Sequence, residues 1–186
     1  MTLLGMSETW SPAGVLLAAG AGMRYGMPKV LSHEGDWLRI AVEALHGGGC
    51  VDVVVVLGAA LVDVPRPARA VVASDWSDGL SASVRAGIAA IPDADAAVLH
   101  TVDTPDVGAD VVRRVLGAAR TAPSGVARAV FRGQPGHPVV VAKRHWPALL
   151  ASLDGDEGAR WFLRQRDDVV AVECGDLATG VDVDEA

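Results

Sequence analysis

Arg24 and Lys29 are the only charged residues in the stretch 17–29, L-A-A-G-A-G-M-R-Y-G-M-P-K, and both are positive. Gly20, Gly22 and Gly26 share that stretch. Glycine reaches backbone conformations closed to other residues and lets a ligand approach the main chain. A loop of accessible amides with an ammonium and a guanidinium suits a triphosphate. Neither common phosphate motif is present. A P-loop needs Gly-Lys followed by Ser or Thr, whereas Lys29 stands between Pro28 and Val30. The Rossmann fingerprint needs its third glycine one residue before Gly26, and Pro28 disfavours a long helix through this point. Lys29 itself reads as an exposed loop lysine of little weight in stability.

The second chemical group is acidic. Asp103-Thr104-Pro105 follows the apolar run 96–99, which puts a carboxylate at the carboxyl end of a strand. Ligands collect there in open α/β sheets. Asp103 is either a ligand for magnesium, which takes one or two carboxylates with phosphate and water, or a turn and cap residue. Asp182 and Asp184 are two apart in an extended end and face one side. They read either as further metal or substrate ligands or as a solvated acidic tail. Ser81 and Ser83 have no Ser-His-Asp setting and no G-x-S-x-G elbow, and they read as caps of the helix that follows. His137, between Gly136 and Pro138, reads as a turn residue, either a substrate contact or a structural imidazole. The run 154–160, D-G-D-E-G-A-R, reads as an acidic turn entering a helix, either a capped helix start or a lining of the cleft side that receives a second substrate. The cap accounts for the acids and leaves Arg160 unexplained.

These groups need a scaffold. A short apolar strand, 13–16, leads into the glycine loop. The β-branched run 51–57 fits a strand covered on both faces. Further strands are expected at 69–73, 96–102, 126–131, 138–142 and 169–172. Helices are expected around Leu38 to Leu45, closed by three glycines, around Leu80 to Ile91, stopped by Pro92, and around Val111 to Ala119. Between residues 58 and 67, Pro65 and Pro67 argue against a crossover helix. The alternation predicts an α/β fold with a mostly parallel sheet, in one domain over residues 1–186.

Composition narrows the partners. At 51% hydrophobic the chain can bury a core and is not disordered. A net charge of −7 with no basic run disfavours nucleic acid. No apolar run reaches the length of a membrane span, and the N-terminal residues lack the pattern of a signal peptide, so a cytoplasmic location is expected. Cys50 and Cys174 are far apart and read as buried thiols, and the histidines lack zinc spacing.

The ordered set of motifs resembles the nucleotidyltransferases related to molybdenum cofactor guanylyl- and cytidylyltransferases. The loop matches L-A-A-G-x-G-x-R-x-G-x-x-K, and the stretch 75–88, D-W-S-D-G-L-S-A-S-V-R-A-G-I, is similar to the family's second block. Asp103-Thr104-Pro105 resembles its metal-binding D-x-P. Gly136-His137-Pro138 and 155–160 resemble blocks of the cytidylyltransferase branch. Asp182-Val183-Asp184 resembles the start of a D-x-D-T-P-E-D motif that stops at Ala186.

The resemblance implies a Rossmann-like three-layer sandwich of the nucleotide-diphospho-sugar-transferase type. It implies transfer of a nucleoside monophosphate, CMP from CTP, to a phosphate on molybdopterin or another phosphorylated small molecule, with pyrophosphate released. Leu17, Ala18, Ala19, Gly20, Gly22, Arg24, Lys29, Ser81, Ser83 and Asp103 would bind nucleotide. Arg24, Lys29 and Asp103 would be catalytic. His137, Asp156 and Arg160 would meet the second substrate. Asp103, Asp182 and Asp184 would hold Mg2+, with Mn2+ as a substitute, and a molybdoenzyme or its chaperone would be the macromolecular partner. Alternatives are a guanylyltransferase, a transferase for a phospho-acid or sugar phosphate, and a non-catalytic nucleotide-binding or cofactor-delivery protein.

Overall fold

A seven-stranded sheet with helices on both faces is seen in the computed structural model, which describes residues 10–23 and 26–183. The strands are β1 (Pro12–Leu17), β2 (Asp52–Leu57), β3 (Arg69–Val72), β4 (Ala96–Thr101), β5 (Val126–Phe131), β6 (Gln134–Ala142) and β7 (Val170–Glu173). Their order is β3-β2-β1-β4-β6-β5-β7, and β6 alone runs antiparallel to its neighbours. The helices are α1 (Asp36–Gly48), α2 (Leu80–Ala89), α3 (Ala109–Thr121), α4 (Trp146–Ser152) and α5 (Arg160–Arg164).

Alternate side chains of each strand feed opposite cores. Leu16, Val53, Val55 and Val98 pack under α1 and α3, with Leu45, Val112 and Leu116. Val15, Leu17, Val54, Val56 and Leu99 pack under α2, α4 and α5, with Val84, Ile88, Leu149 and Phe162. This is the expected three-layer sandwich. The β2–β3 connection, 58–68, contains no helix, as Pro65 and Pro67 require. Cys50 and Cys174 are buried free thiols, and burial pushes the Cys50 thiol up to about 12. Among the described residues no helix is long and apolar enough to cross a membrane.

The topology sets the site. From β1 the chain crosses through α1 to β2 on one side, while β4 adds to β1 on the other. The carboxyl ends of β1 and β4 therefore lie side by side at the switch point where the strand order reverses, the point at which α/β sheets collect ligands.

One strand corrects the sequence reading. His137 is not in a turn but inside β6, which begins at Gln134. The real turn is Arg132-Gly133, where both residues have positive φ and close a two-residue hairpin from β5. Pairing with β4 starts only at Val139, so 136–138 has one neighbouring strand, where proline is tolerated.

Candidate active site

The residues that leave β1 line a cleft of about 430 Å3 at the switch point. Leu17, Ala18, Ala19 and Gly20 form one wall, and Ser83, Trp76 and Leu80 form another. Lys29, Asp103, Asp182, His137, Asp156 and Arg160 complete it.

Much of the β1 exit is already spoken for. Ala18 N–H donates to the Val56 carbonyl at 3.1 Å, Ala19 O accepts from Ala59 N–H at 2.9 Å, and Leu17 O accepts from Val102 N–H at 3.3 Å. The N–H groups of Ala19, Gly20 and Ala21 have no acceptor among the described residues, and these amides border the cleft. Gly20 keeps open space where a side chain would stand. Gly22 lies deeper in the turn. Its φ is +61°, Gly26 N–H donates to its carbonyl at 2.8 Å, and a Cβ there would strike the Met27 carbonyl. Gly22 therefore shapes the loop without lining the cleft. Arg24 lies outside the described residues.

Lys29 is not an exposed loop residue. It opens a 3-10 turn, Lys29–Gly35, and its side chain is 14% exposed. Its Nζ donates to Asp103 Oδ2 at 2.8 Å, and the Asp103 side chain is 22% exposed. Burial alone would raise the Asp103 carboxyl. The Lys29 hydrogen bond, then Thr101 and the charges of Lys29 and His137, outweigh that and hold it below its ordinary value. Its other oxygen, Oδ1, is buried with no hydrogen-bond partner.

The C-terminal stretch is carried back to this point. Val183 N–H donates to the Asp103 carbonyl at 2.9 Å, which brings Asp182 into the cleft. Asp106 fixes the approach by accepting from Thr179 N–H at 2.6 Å and Gly180 N–H at 3.3 Å. The backbone of this part of the tail is docked, while Asp182 itself stays exposed. Asp184 lies outside the described residues.

The helix-capping readings are corrected. The α2 N-cap is Gly79, with no side-chain cap of its own. Asp156 supplies the acceptor from a distant segment, taking the Leu80 N–H on Oδ1 at 3.3 Å. Gly79, at φ +108°, leaves room for that carboxylate, because a Cβ would come within 2.6 Å of it. Ser81 and Ser83 lie inside the first turns of α2 and are buried. Ser81 Oγ accepts from Gly158 N–H at 3.2 Å, which clips the 155–158 segment onto α2, so Ser81 stands behind the cleft wall while Ser83 lines it. Asp156 thus caps α2 rather than its own helix.

His137 sits beside Asp103, with Nδ1 3.4 Å from the Leu99 carbonyl. Burial lowers its pKa against the opposing pull of Leu99 and Asp103, which favours a neutral ring. His100, fully buried behind it, is pushed down to about 3 by burial and by His137. Neither ring nitrogen of His100 has a partner among the described residues.

Sequence reasoning passed over Trp76 as a cleft residue. It packs on Gly58, where an added Cβ would lie 2.6 Å from it, and against the core cluster that includes Ala19. The only signal was its place inside the 75–88 block.

A divalent cation can be tested against these groups. No three His, Cys, Asp or Glu among the described residues form a ready cage. Magnesium does not need one, since it takes one or two carboxylates and completes its shell with phosphate and water. The buried, unpartnered Oδ1 of Asp103, with Asp182 lining the same cleft, fits that donor set.

Residues 14–169 match the family model for the MobA-like NTP transferase domain. A nicotine blue oxidoreductase of Paenarthrobacter nicotinovorans is 39% identical over 197 residues, covering 96% of this chain and 96% of that protein. Rv0371c of Mycobacterium tuberculosis H37Rv superposes with a TM-score of 0.76 at 24% identity, covering 95% of this chain and 94% of that one. A manganese complex of the same protein gives 0.66 at 23% identity, covering 93% and 94%. A nucleotidyl transferase from Methanothermobacter thermautotroptrophicus gives 0.73 at 22% identity, covering 94% and 92%.

Proposed function

The chain belongs to the MobA-like NTP transferase family, and we propose from that premise that it transfers CMP from CTP to a phosphate of molybdopterin or of another phosphorylated small molecule. The observation that carries this reading is the Lys29–Asp103 pair facing the unpartnered amides of Ala19 and Gly20 across one cleft.

In this reading the amides of Ala19, Gly20 and Ala21 receive phosphate oxygens. The Lys29 ammonium has three donors, so it can stay on Asp103 and also meet the triphosphate. Arg24 adds the second cation of the loop. The acceptor's phosphate oxygen attacks the α-phosphorus in line and pyrophosphate leaves, with no covalent intermediate on the protein. Most of the rate then comes from positioning and charge neutralisation. Asp103, through Oδ1, and Asp182 would hold magnesium or manganese, with Asp184 as a further ligand. When bound, the cation supplies charge neutralisation on phosphate oxygens. His137 and Arg160 face the acceptor, and Asp156 acts by fixing the start of α2.

The test is pyrophosphate release from each nucleoside triphosphate, with and without molybdopterin and magnesium. Release that needs both the metal and the acceptor supports transfer. The 39% identical relative is a nicotine blue oxidoreductase, which favours a second reading, in which the cleft serves a redox reaction of such a dye. Oxidation of NADH or NADPH by such a dye, with no pyrophosphate released from any triphosphate, would select that reading instead.

A further inference from the structure

Arginines in this net-acidic chain are commonly met by a nearby carboxylate. Arg39, Arg69, Arg113, Arg114 and Arg166 each have one at 3.2 Å or closer. The His137 side of the cleft breaks this pattern. Arg160 and Arg164, one turn apart on α5, share the single carboxylate of Glu157 at 3.9 and 3.8 Å, beyond hydrogen-bond reach. Arg128 projects from β5 and is only partly exposed. Its Nε donates to the Gly136 carbonyl at 3.3 Å, and its two terminal nitrogens have no protein acceptor among the described residues.

Arg160 and Arg164 approach the same Glu157 carboxylate, Arg160 lines the cleft with His137, and Arg128 is tied to Gly136, the residue before His137. Burial and then the charges of Arg160 and Arg164 lower the Arg128 pKa, and His137 feels both Arg128 and Arg160. Three guanidiniums stand against one distant carboxylate, and among the described residues no other acid forms an ion pair with them. Such an arrangement is stable when a bound anion completes it, and guanidinium forks match carboxylate and phosphate. The neighbouring acid Asp156 is already engaged with the Leu80 N–H.

We propose that Arg128, Arg160 and Arg164 form a second anion subsite at the His137 side of the cleft, which takes a negatively charged group of the acceptor other than the phosphate that reacts. The acceptor class is therefore a small molecule with at least two anionic groups, one directed to Lys29 and Asp103 and one held by the arginines. The inference rests on the transfer reading above. A monoanionic acceptor would leave the arginine group unneutralised and bind weakly.

The test uses inorganic phosphate as the probe. Phosphate is titrated calorimetrically into the whole protein, alone and after saturation with the α,β-methylene analogue of CTP and magnesium. The expected result is phosphate binding that persists beside the analogue and weakens by at least about tenfold in Arg128→Gln/Arg164→Gln. Lys29→Ala should weaken the analogue and leave this phosphate in place. In dilute, phosphate-free buffer the double variant should melt at or above the parent, because it loses like charges, whereas a merely structural arginine cluster would lower the melting point when removed. Equal phosphate affinity in parent and double variant, no binding at millimolar phosphate, or loss of the phosphate in Lys29→Ala would overturn the subsite. If the analogue fails to bind while arginine-dependent phosphate binding survives, the transfer reading falls and the subsite stands.

Discussion

Removing Lys29 perturbs both the chemistry and the fold, and the structure sets the size of each effect. The Nζ–Oδ2 separation is 2.8 Å between side chains that are 14% and 22% exposed. At an effective dielectric near 20 the Coulomb attraction at that distance is about 6 kcal/mol before desolvation is charged against it. Breaking a fully buried pair by deleting one partner costs roughly 3–5 kcal/mol. Partial exposure reduces this, so Lys29→Ala should lose about 2 kcal/mol at pH 7. The loss arises because Asp103 keeps a charge that burial opposes, with Oδ1 already unpartnered.

The pH dependence follows in sign. In the parent protein the folded-state Asp103 pKa is depressed, so the pair contributes stability above the unfolded-state value, and that stability is lost as pH falls through the folded-state value. In Lys29→Ala the Lys29 causes that lower it are gone, Thr101 and His137 remain and burial weighs more, so the gap between parent and variant should be widest near neutrality and narrow as the solution is acidified. Urea unfolding at pH 7 and pH 4, on the parent, Lys29→Ala, Asp103→Asn and the double variant, provides the assay. The double variant should lose less than the sum of the singles by about 1–2 kcal/mol. Additive losses within a few tenths of a kcal/mol, or a pH-independent gap, would refute the coupling. Turnover of Lys29→Ala should fall by orders of magnitude more than a 2 kcal/mol fold defect explains.

Asp103→Asn keeps the shape but loses the charge, and it should abolish metal-dependent nucleotide binding, read by calorimetry with and without magnesium. Asp106→Ala frees the donors of Thr179 and Gly180 at an exposed site, so it should cost about 1 kcal/mol and yet cut activity at least about tenfold by releasing Asp182. Paired melting and rate measurements separate these two effects. Asp156→Ala should cost about 1 kcal/mol through the lost α2 cap, and Asp156→Asn, which keeps an acceptor oxygen, should recover most of it. CTP should exceed GTP by at least about tenfold in kcat/KM, about 1.4 kcal/mol, as read by side-by-side kinetics. A GTP preference would move the assignment to the guanylyl branch.

Local patterning determined a great deal. The β-branched run became β2, the glycine trio closed α1, and Pro65 with Pro67 kept a helix out of the β2–β3 connection. These follow from side-chain shape and backbone freedom within a few residues, which a sequence states directly. The loop after β1 and the acid after β4 were likewise legible, because each stands where an apolar run ends. What the sequence could not state was which groups are spent on other segments. Ala18 N–H is consumed by Val56, and Ser81 is turned to Gly158. Asp156 caps a helix 76 positions away, and Lys29 is folded onto Asp103 instead of lying in solvent. His137 changed from a turn to a strand because a two-residue hairpin at Arg132-Gly133 set the register first. Arg128, Arg160 and Arg164 gave no sequence signal as a group. Their meeting depends on α5 settling over the sheet face from which β5 projects Arg128, a long-range packing decision that spacing along the chain does not encode.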